Sequence, residues 1–336
     1  MNSMMRTSES LFVVMGILAL LSGGAIAQRP NFDAVQIQTL HVSGNIYMLV
    51  GAGGNIAVSV GEDGVLIVDD QFAPLTDKIV AAIRELSDGP IRFLVNTHSH
   101  GDHVGGNENL ARMGALIFAH ENTRKKMAEG GPDDRTPDPN DSIPPEPPGA
   151  LPIVTLVDRM SFHINGEDVD LIYPGPAHTD GDIFVFFRGS NVLHVGDVLV
   201  TEGFPVIDRA SNGSLEGIIR GLDLALDLVT TAPGFLSGRN NQPGAWPDPS
   251  NGERTDTIVI PGHGRLYDEA DLVQYRDMVV IIRDRIIDLI DKGLTLEEVK
   301  AADPTLGWNN RYGSTTPPFT TERFIELAYA ELRQQR

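Results

Sequence analysis

The stretch Asn96-Thr97-His98-Ser99-His100-Gly101-Asp102-His103, NTHSHGDH in one-letter form, decides how this chain is read. It places four ligand-type side chains, His98, His100, Asp102 and His103, within six residues. The apolar run IRFLV (91–95) before it reads as a buried strand, and VGGNENLARMG after it reads as a helix start, so the cluster occupies a strand-to-helix loop. Imidazole nitrogens and carboxylate oxygens suit zinc. On an extended backbone the H-x-H alternation points His98 and His100 the same way, while Asp102 and His103 fall on turned backbone where they can face a second metal. A polar loop that gathered its histidines by chance is the weaker reading.

Outward from this loop toward the N-terminus, IYMLVG, GNIAVSVG and EDGVLIVDD are short apolar runs punctuated by Gly51, Gly53, Gly54 and Glu62-Asp63-Gly64, the pattern of hairpin-connected strands. Residues 74–86 carry apolar side chains at helical spacing with Pro74 near the first turn. A β-α-β-α order results, continued by ALIFAH as a strand and ENTRKKMAE as a short helix. Between residues 130 and 152 lie eight of the chain's 22 prolines together with Asp133, Asp134, Asp138 and Asp141. A loop with so little backbone freedom suits a semi-rigid flap shaping substrate access, the alternative being a solvated insertion without a role.

Beyond it MSFHIN, DVDLIYPG, DIFVFFRG and NVLHVGD repeat the strand pattern. A helix is expected over 215–229, then a loop over 233–256 containing Trp246, and a strand over 257–260. A long amphipathic helix over 270–291 has a core-facing stripe at Met278, Ile282, Ile286 and Leu289 or Ile290. Two shorter helices over 296–302 and 320–332 close the chain.

The composition of the 336-residue chain, 41% hydrophobic, is that of a globular protein of one large domain or two small ones. Residues 1–27 read separately as a secretory signal peptide, with Arg6 in a polar leader, an apolar run over 11–21 broken only by Gly16, and Ala25-Ile26-Ala27 as a cleavage site. That run is too short to span a bilayer, so the mature chain, 28–336, is expected to be periplasmic or secreted and not membrane-bound. It keeps the full net charge of −20, which repels nucleic-acid phosphates and anionic lipid and leaves a small molecule as the expected partner, with oligomeric state open. Cysteine is absent, so neither disulfides nor a thiolate ligand contribute.

Three further positions sit just past strands beside glycine: His178 in GPAHTDGD, Asp197 in HVGD and His263 in PGHG. Singly each reads as structural; their joint occurrence with HSHGDH is specific. In that order and separated by strands, these motifs resemble the metallo-beta-lactamase superfamily over residues of about 40–328. The resemblance implies an α/β fold, a four-layered αβ/βα sandwich of two mixed sheets packed face to face with helices outside and metals at one edge. It implies two zinc ions per chain, one on His98, His100 and His178, the other on Asp102, His103 and His263, with Asp197 bridging. Asp69, at the end of LIVDD, matches the family's buried Asp that orients a ligand histidine. His120, at a strand end on the same edge, is a candidate substrate contact. His41 and His163 read as ordinary strand residues, and His194 is open between structure and site.

Two cations sharing one water bring its pKa toward neutrality, so the expected nucleophile is a metal-bound hydroxide and not a side chain. Asp102 would both ligate metal and accept a hydrogen bond from that nucleophile, a catalytic role. The family spans lactamases, glyoxalase II, lactonases, nucleases, sulfatases and iron oxidoreductases. His100 stands where the iron flavoprotein branch has Glu, and both His103 and His263, dispensable to a single-iron dioxygenase, are present. The absence of Cys excludes the commonest lactamase subclass. The reading is therefore a hydrolase of esters, thioesters or lactones, with a beta-lactamase as runner-up and a non-catalytic zinc-binding protein or single-iron oxidoreductase behind it.

Overall fold

The computed structural model describes residues 31–133, 140–229, 256–317 and 319–336; the N-terminal leader, nearly all of the 233–256 loop and its Trp246 lie outside them. Strands β1 (Gln38–Ser43), β2 (Ile46–Val50), β3 (Ile56–Gly61) and β4 (Gly64–Val68) form an antiparallel meander. Helix α1 (Thr76–Leu86) then crosses over to β5 (Ile91–Val95), which pairs parallel with β4. The expected single helix after the histidine loop is two short ones, α2 (Gly101–Val104) and α3 (Asn107–Arg112). The break falls at Gly105-Gly106, where a Cβ on Gly105 would stand 2.7 Å from the carbonyl oxygens of Gln71 and Gly101.

Strand β6 (Leu116–His120) pairs parallel with β5 and runs straight into α4 (Glu121–Glu129). Within the proline-rich segment a small hairpin, β7 (Gly131–Pro132) with β8 (Ser142–Ile143), is followed by β9 (Val154–Leu156). This last strand, three residues behind a proline, carries too little periodicity to be read from sequence, yet it completes the seven-stranded sheet beside β6.

The second sheet follows chain order: β10 (Arg159–Ile164), β11 (Glu167–Ile172), β12 (Phe184–Phe187), β13 (Val192–His194) and β14 (Ile258–Ile260), antiparallel except for the β13–β14 pair. Helix α5 (Leu215–Leu228) precedes β14; α6 (Glu269–Asp291), α7 (Leu296–Ala301), a four-residue α8 (Asn309–Tyr312) that the sequence does not signal, and α9 (Thr321–Gln334) follow it.

Side-chain alternation builds the layers. In β4, Leu66 and Val68 point to the interior between the sheets, where they meet Val169, Leu171, Val185 and Ile260 of the second sheet. Their neighbours Val65 and Ile67 point outward against Leu75, Ile79, Ile83 and Leu110 of the first helical layer. On the far side Phe184, Leu193 and Val259 pack under α5, α6 and α9 through Leu222, Met278, Ile282, Ile286 and Ala328. The result is helix, sheet, sheet, helix, held together by apolar burial from both faces of each sheet. Buried Glu331 of α9 locks the outer layer, its carboxylate accepting the N–H groups of Leu215 (2.6 Å) and Glu216 (3.2 Å) at the start of α5. Among the described residues no helix is long and apolar enough to cross a membrane.

Candidate metal centre

The site lies where β4, β5, β13 and β14 end, with the β11–β12 connection closing it. Strand β5 stops at Val95, the chain bends through Thr97, His98 and Ser99, His100 is extended, and α2 begins at Gly101. Asp102 and His103 therefore project from the first helical turn, as expected, whereas His100 alone of the H-x-H pair has extended backbone and His98 sits in the bend. The structure brings all seven motif residues together in two groups, His98, His100, His178 and Asp197, and Asp102, His103 and His263.

In the first group His100 Nδ1 stands 3.0 Å from Nε2 of both His98 and His178, and Asp197 Oδ2 lies 3.8 Å from those same two nitrogens. In the second, His263 Nε2 is 3.1 Å from Asp102 Oδ2 and 3.3 Å from His103 Nε2. Asp197 Oδ1 is 3.3 Å from His103 Nε2 and 3.6 Å from His263 Nε2. One carboxylate thus faces the first group with one oxygen and the second with the other. Donors about 2.0 Å from a tetrahedral zinc are separated by about 3.3 Å, so these spacings are those of coordination shells.

Three observations show that the donors fit such ions. Asp197 Oδ1 is buried without a hydrogen-bond partner, an arrangement that costs free energy unless a cation compensates it. A Cβ on Gly262 would run into Asp197 Oδ1 and one on Gly54 into the His103 ring, so both glycines keep open the space the ligands use. The charges agree. Burial, then the neighbouring His103 and His100, lower the His98 pKa and keep it neutral, the ligating form. Burial pushes Asp197 up, but His263 and His103 hold it well below the usual carboxylate range. Burial would lower His103, but Asp197, Asp102 and Asp69 raise it well above the ordinary value; the carboxylates draw protons there as they would draw a cation.

Each imidazole of the two histidine-rich strand ends is held from behind. His103 Nδ1 donates to Asp69 Oδ2 at 2.7 Å. The same oxygen accepts from Thr97 Oγ1 (2.8 Å), which in turn accepts from His98 Nδ1–H at 3.0 Å, so Asp69 orients one histidine directly and one through a hydroxyl. Asp69 sits at φ 64°, a left-handed conformation unusual for a residue with a side chain and stabilised by the Thr97 N–H bond to Oδ1 (2.7 Å). His178 Nδ1 donates to the Val206 carbonyl (2.6 Å), and His100 Nε2 to Asp208 Oδ2 (2.9 Å).

Asp208 is a site residue that sequence reading misses. Its other oxygen caps the turn at Ser211 (3.0 Å), and an Asp before Ser-Asn-Gly looks like any turn cap. Asn55 is missed likewise; it stitches the PGHG loop through its N–H to the Gly262 carbonyl (2.7 Å) and its amide to the Pro261 and Gly264 carbonyls (2.9 and 3.0 Å).

The structure places His120 elsewhere than at the site. It is buried and stacked on Tyr173, its Nδ1 accepts from the Asn122 N–H to cap α4 and its Nε2 meets the Val157 carbonyl, so both nitrogens serve the fold. His194 is also structural, spanning the Asn55 carbonyl and the Gly196 N–H. A cavity of about 260 Å³ opens onto His100, Asp102, Asp197 and His263, and its remaining wall comes from residues 200–207 and 312–327. The described part of the 130–152 loop does not border it. That described part packs on α4, through the Glu146 N–H to the Met127 carbonyl (2.7 Å), while residues 134–139 lie outside the described residues.

Comparison with known proteins agrees with this geometry. A family profile described as the metallo-beta-lactamase superfamily matches residues 42–263. The 2,4-dinitroanisole O-demethylase subunit alpha of Nocardioides sp. is 26% identical over 164 residues, 48% of this chain and 45% of its own length, so the chain spans less than half of that relative. The hydroxyacylglutathione hydrolase of Gloeobacter violaceus is 26% identical over 220 residues, 65% of this chain and 71% of its own. A metallo-beta-lactamase from Pontibacter korlensis superposes with TM-score 0.52 at 18% identity, covering 73% of this chain and 99% of that one, a likeness of fold.

Proposed function

Because the chain belongs to the metallo-beta-lactamase superfamily, we propose that it is an exported hydrolase that holds two zinc ions and cleaves an ester, thioester or lactone. The observation that carries the reading is Asp197, whose two oxygens face two separate ligand groups. His98, His100 and His178 would hold one ion, Asp102, His103 and His263 the other, and the all-nitrogen-and-oxygen donor set with tetrahedral spacing favours zinc. Bound there, the two ions would supply an activated water near neutral pH and a Lewis acid for the carbonyl.

The chain's own residues supply the rest. Burial would raise Asp102, but His103 and His263 draw it below the usual carboxylate range, so it is ionised and can accept a hydrogen bond. Its side chain and that of His263, each 27% exposed, are the most exposed of the four ligand residues on the cavity, so substrate enters over the second group. Asp69, Thr97 and Asp208 fix the rings and tautomers. A bridging carboxylate lowers the net Lewis acidity of the pair, which suits acyl groups with good leaving groups better than an amide-like lactam. The relative named hydroxyacylglutathione hydrolase is in keeping with acyl transfer to water.

Metal analysis of the mature protein, with a screen of aryl esters, lactones, thioesters, beta-lactams and phosphodiesters, tests the reading. Two zincs and hydrolysis of activated esters or lactones are expected; efficient lactam turnover with esters untouched overturns the substrate class, and one iron with oxygen uptake overturns the reaction. Intact mass of the exported protein should begin near Gln28.

A further inference from the structure

Eight of the cavity's 19 lining residues lie beyond residue 263, outside the family match, and the apolar part of the wall is aromatic and aliphatic. Phe204 and Phe324 face each other in a near-parallel stack, ring centroids 5.3 Å apart and 7° between planes, with Tyr312 6.0 Å from Phe204. Ile207 and Leu327 continue this surface, and Phe319, 50% exposed, stands at the mouth.

Three hydroxyls on the same wall already serve the fold. Thr320 Oγ1 caps α9 by accepting the Arg323 N–H (3.1 Å), Thr321 Oγ1 accepts the Ser314 N–H (3.0 Å), and the Tyr312 hydroxyl meets that of Tyr267 (3.4 Å). Apart from the ligand residues, the charged groups on the lining are Glu202 and Arg323. Arg323 Nη1 is paired with Glu326 Oε2 at 3.1 Å. Beside that guanidinium, already shared with Glu326, the lining carries the carboxylate of Glu202, and the chain as a whole carries −20. An anionic substrate end placed here would lose its hydration and face Glu202 and a guanidinium already partly neutralised by Glu326.

We infer that this compartment receives an uncharged apolar group of the substrate, one aromatic ring with a short chain or a branched alkyl group of like size, held by Phe204, Phe324 and Leu327 while the scissile bond lies over Asp102 and His263. Size supports the assignment. A dry apolar cavity of about 150 Å³ holds a benzene, and this one, at about 260 Å³, has room for a ring and a few further atoms. The inference deepens the hydrolase reading and rests on it only for where the reacting bond lies.

Binding and turnover are measured separately so that the two can fail separately. Acetanilide, a neutral uncleaved counterpart of phenyl acetate, and 4-acetamidobenzoate, its distally charged counterpart, are titrated calorimetrically into the zinc-loaded protein. Phenyl acetate and 4-carboxyphenyl acetate are compared as substrates. Acetanilide is expected to bind at least tenfold more tightly than 4-acetamidobenzoate. Phe324→Leu and Phe319→Ala, the second at a half-exposed site that leaves the core intact, should each weaken acetanilide severalfold to tenfold with zinc content unchanged. Phenyl acetate should show the higher kcat/KM. Equal or tighter binding of the charged compound, or acetanilide binding indifferent to both substitutions, overturns the inference even if esters are cleaved. Acetanilide binding as expected with no ester hydrolysed supports the compartment and counts against the reaction.

Discussion

Asp208 Oδ2 lies 2.9 Å from Nε2 of His100, a residue 108 positions earlier in the chain, and so turns that imidazole to present Nδ1 to the first ligand group. The loop bearing Asp208 is held by its own N–H to the His178 carbonyl (3.2 Å), which couples the placement of two ligands of one group. Partners behind a ligand histidine set its tautomer and typically contribute about 10–100-fold in metal affinity.

Asp208→Ala should therefore weaken zinc at the first group by about one to two orders of magnitude while the second group keeps its ion. Competition against a chelator of known affinity checks this. Equal loss from both groups would show that the substitution acts on the fold and not on His100.

The glycines make a sharper test because their roles are opposite to their positions in the motif. Gly101 lies inside HSHGDH, yet an added Cβ would meet nothing within 4 Å, so Gly101→Ala should keep metal and melting temperature. Gly54 lies far from the motif in sequence, but its Cβ would stand 2.7 Å from both ring nitrogens of His103. Gly54→Ala should retain the fold and lose the second ion preferentially. Zinc per chain, measured on both variants, decides between them.

Removal of the metal should leave two groups of buried acids and histidines without their cations. An ion present at a hundred times its Kd stabilises by about 2.7 kcal/mol per site. Chelated protein should melt well below the zinc-loaded form, and re-addition of zinc should restore the difference in a concentration-dependent manner. A melting temperature indifferent to zinc would count against metal at these residues.

Burial holds Asp182, in the loop after His178, at about 6 against an ordinary 3.8, while its oxygens accept from the N–H (2.9 Å) and hydroxyl (2.7 Å) of Thr179. Between those two values the native protein keeps a proton that the unfolded chain has released, so stability falls as pH rises through this window. The contribution is present below about pH 4 and lost by about pH 6, a difference of roughly 3 kcal/mol. Urea unfolding of the metal-free protein and of Asp182→Asn should converge or cross as pH goes from 4 to 7. Parallel curves for the two would remove the titration from Asp182.

Local chemistry is what the sequence by itself determined. The run to Val95 reads as a strand, α1, α5 and α6 show their apolar faces at helical spacing, and HSHGDH names four ligand-type residues by type at short spacing, while His178, Asp197 and His263 are named by the family resemblance of their motifs taken together. The pairing of Leu66 and Val68 with one core and Val65 and Ile67 with another follows from strand geometry once both sheets exist. Tertiary structure alone decided the rest. Asp208, Asn55 and Gly54 reach the site across long stretches of chain, and nothing in their neighbours distinguishes them from turn residues, since their partners are set by how loops stack at the sheet ends. His120 lies beside the right edge yet is spent capping α4, a choice fixed by the direction of one side chain. The cavity wall comes from Phe204, Phe324 and Leu327, which read only as core residues until the packing of α9 against the loop after β13 leaves a space between them. Ligands are recognisable by their chemistry, whereas a cavity is the volume that packing does not fill, and no local pattern in the chain encodes it.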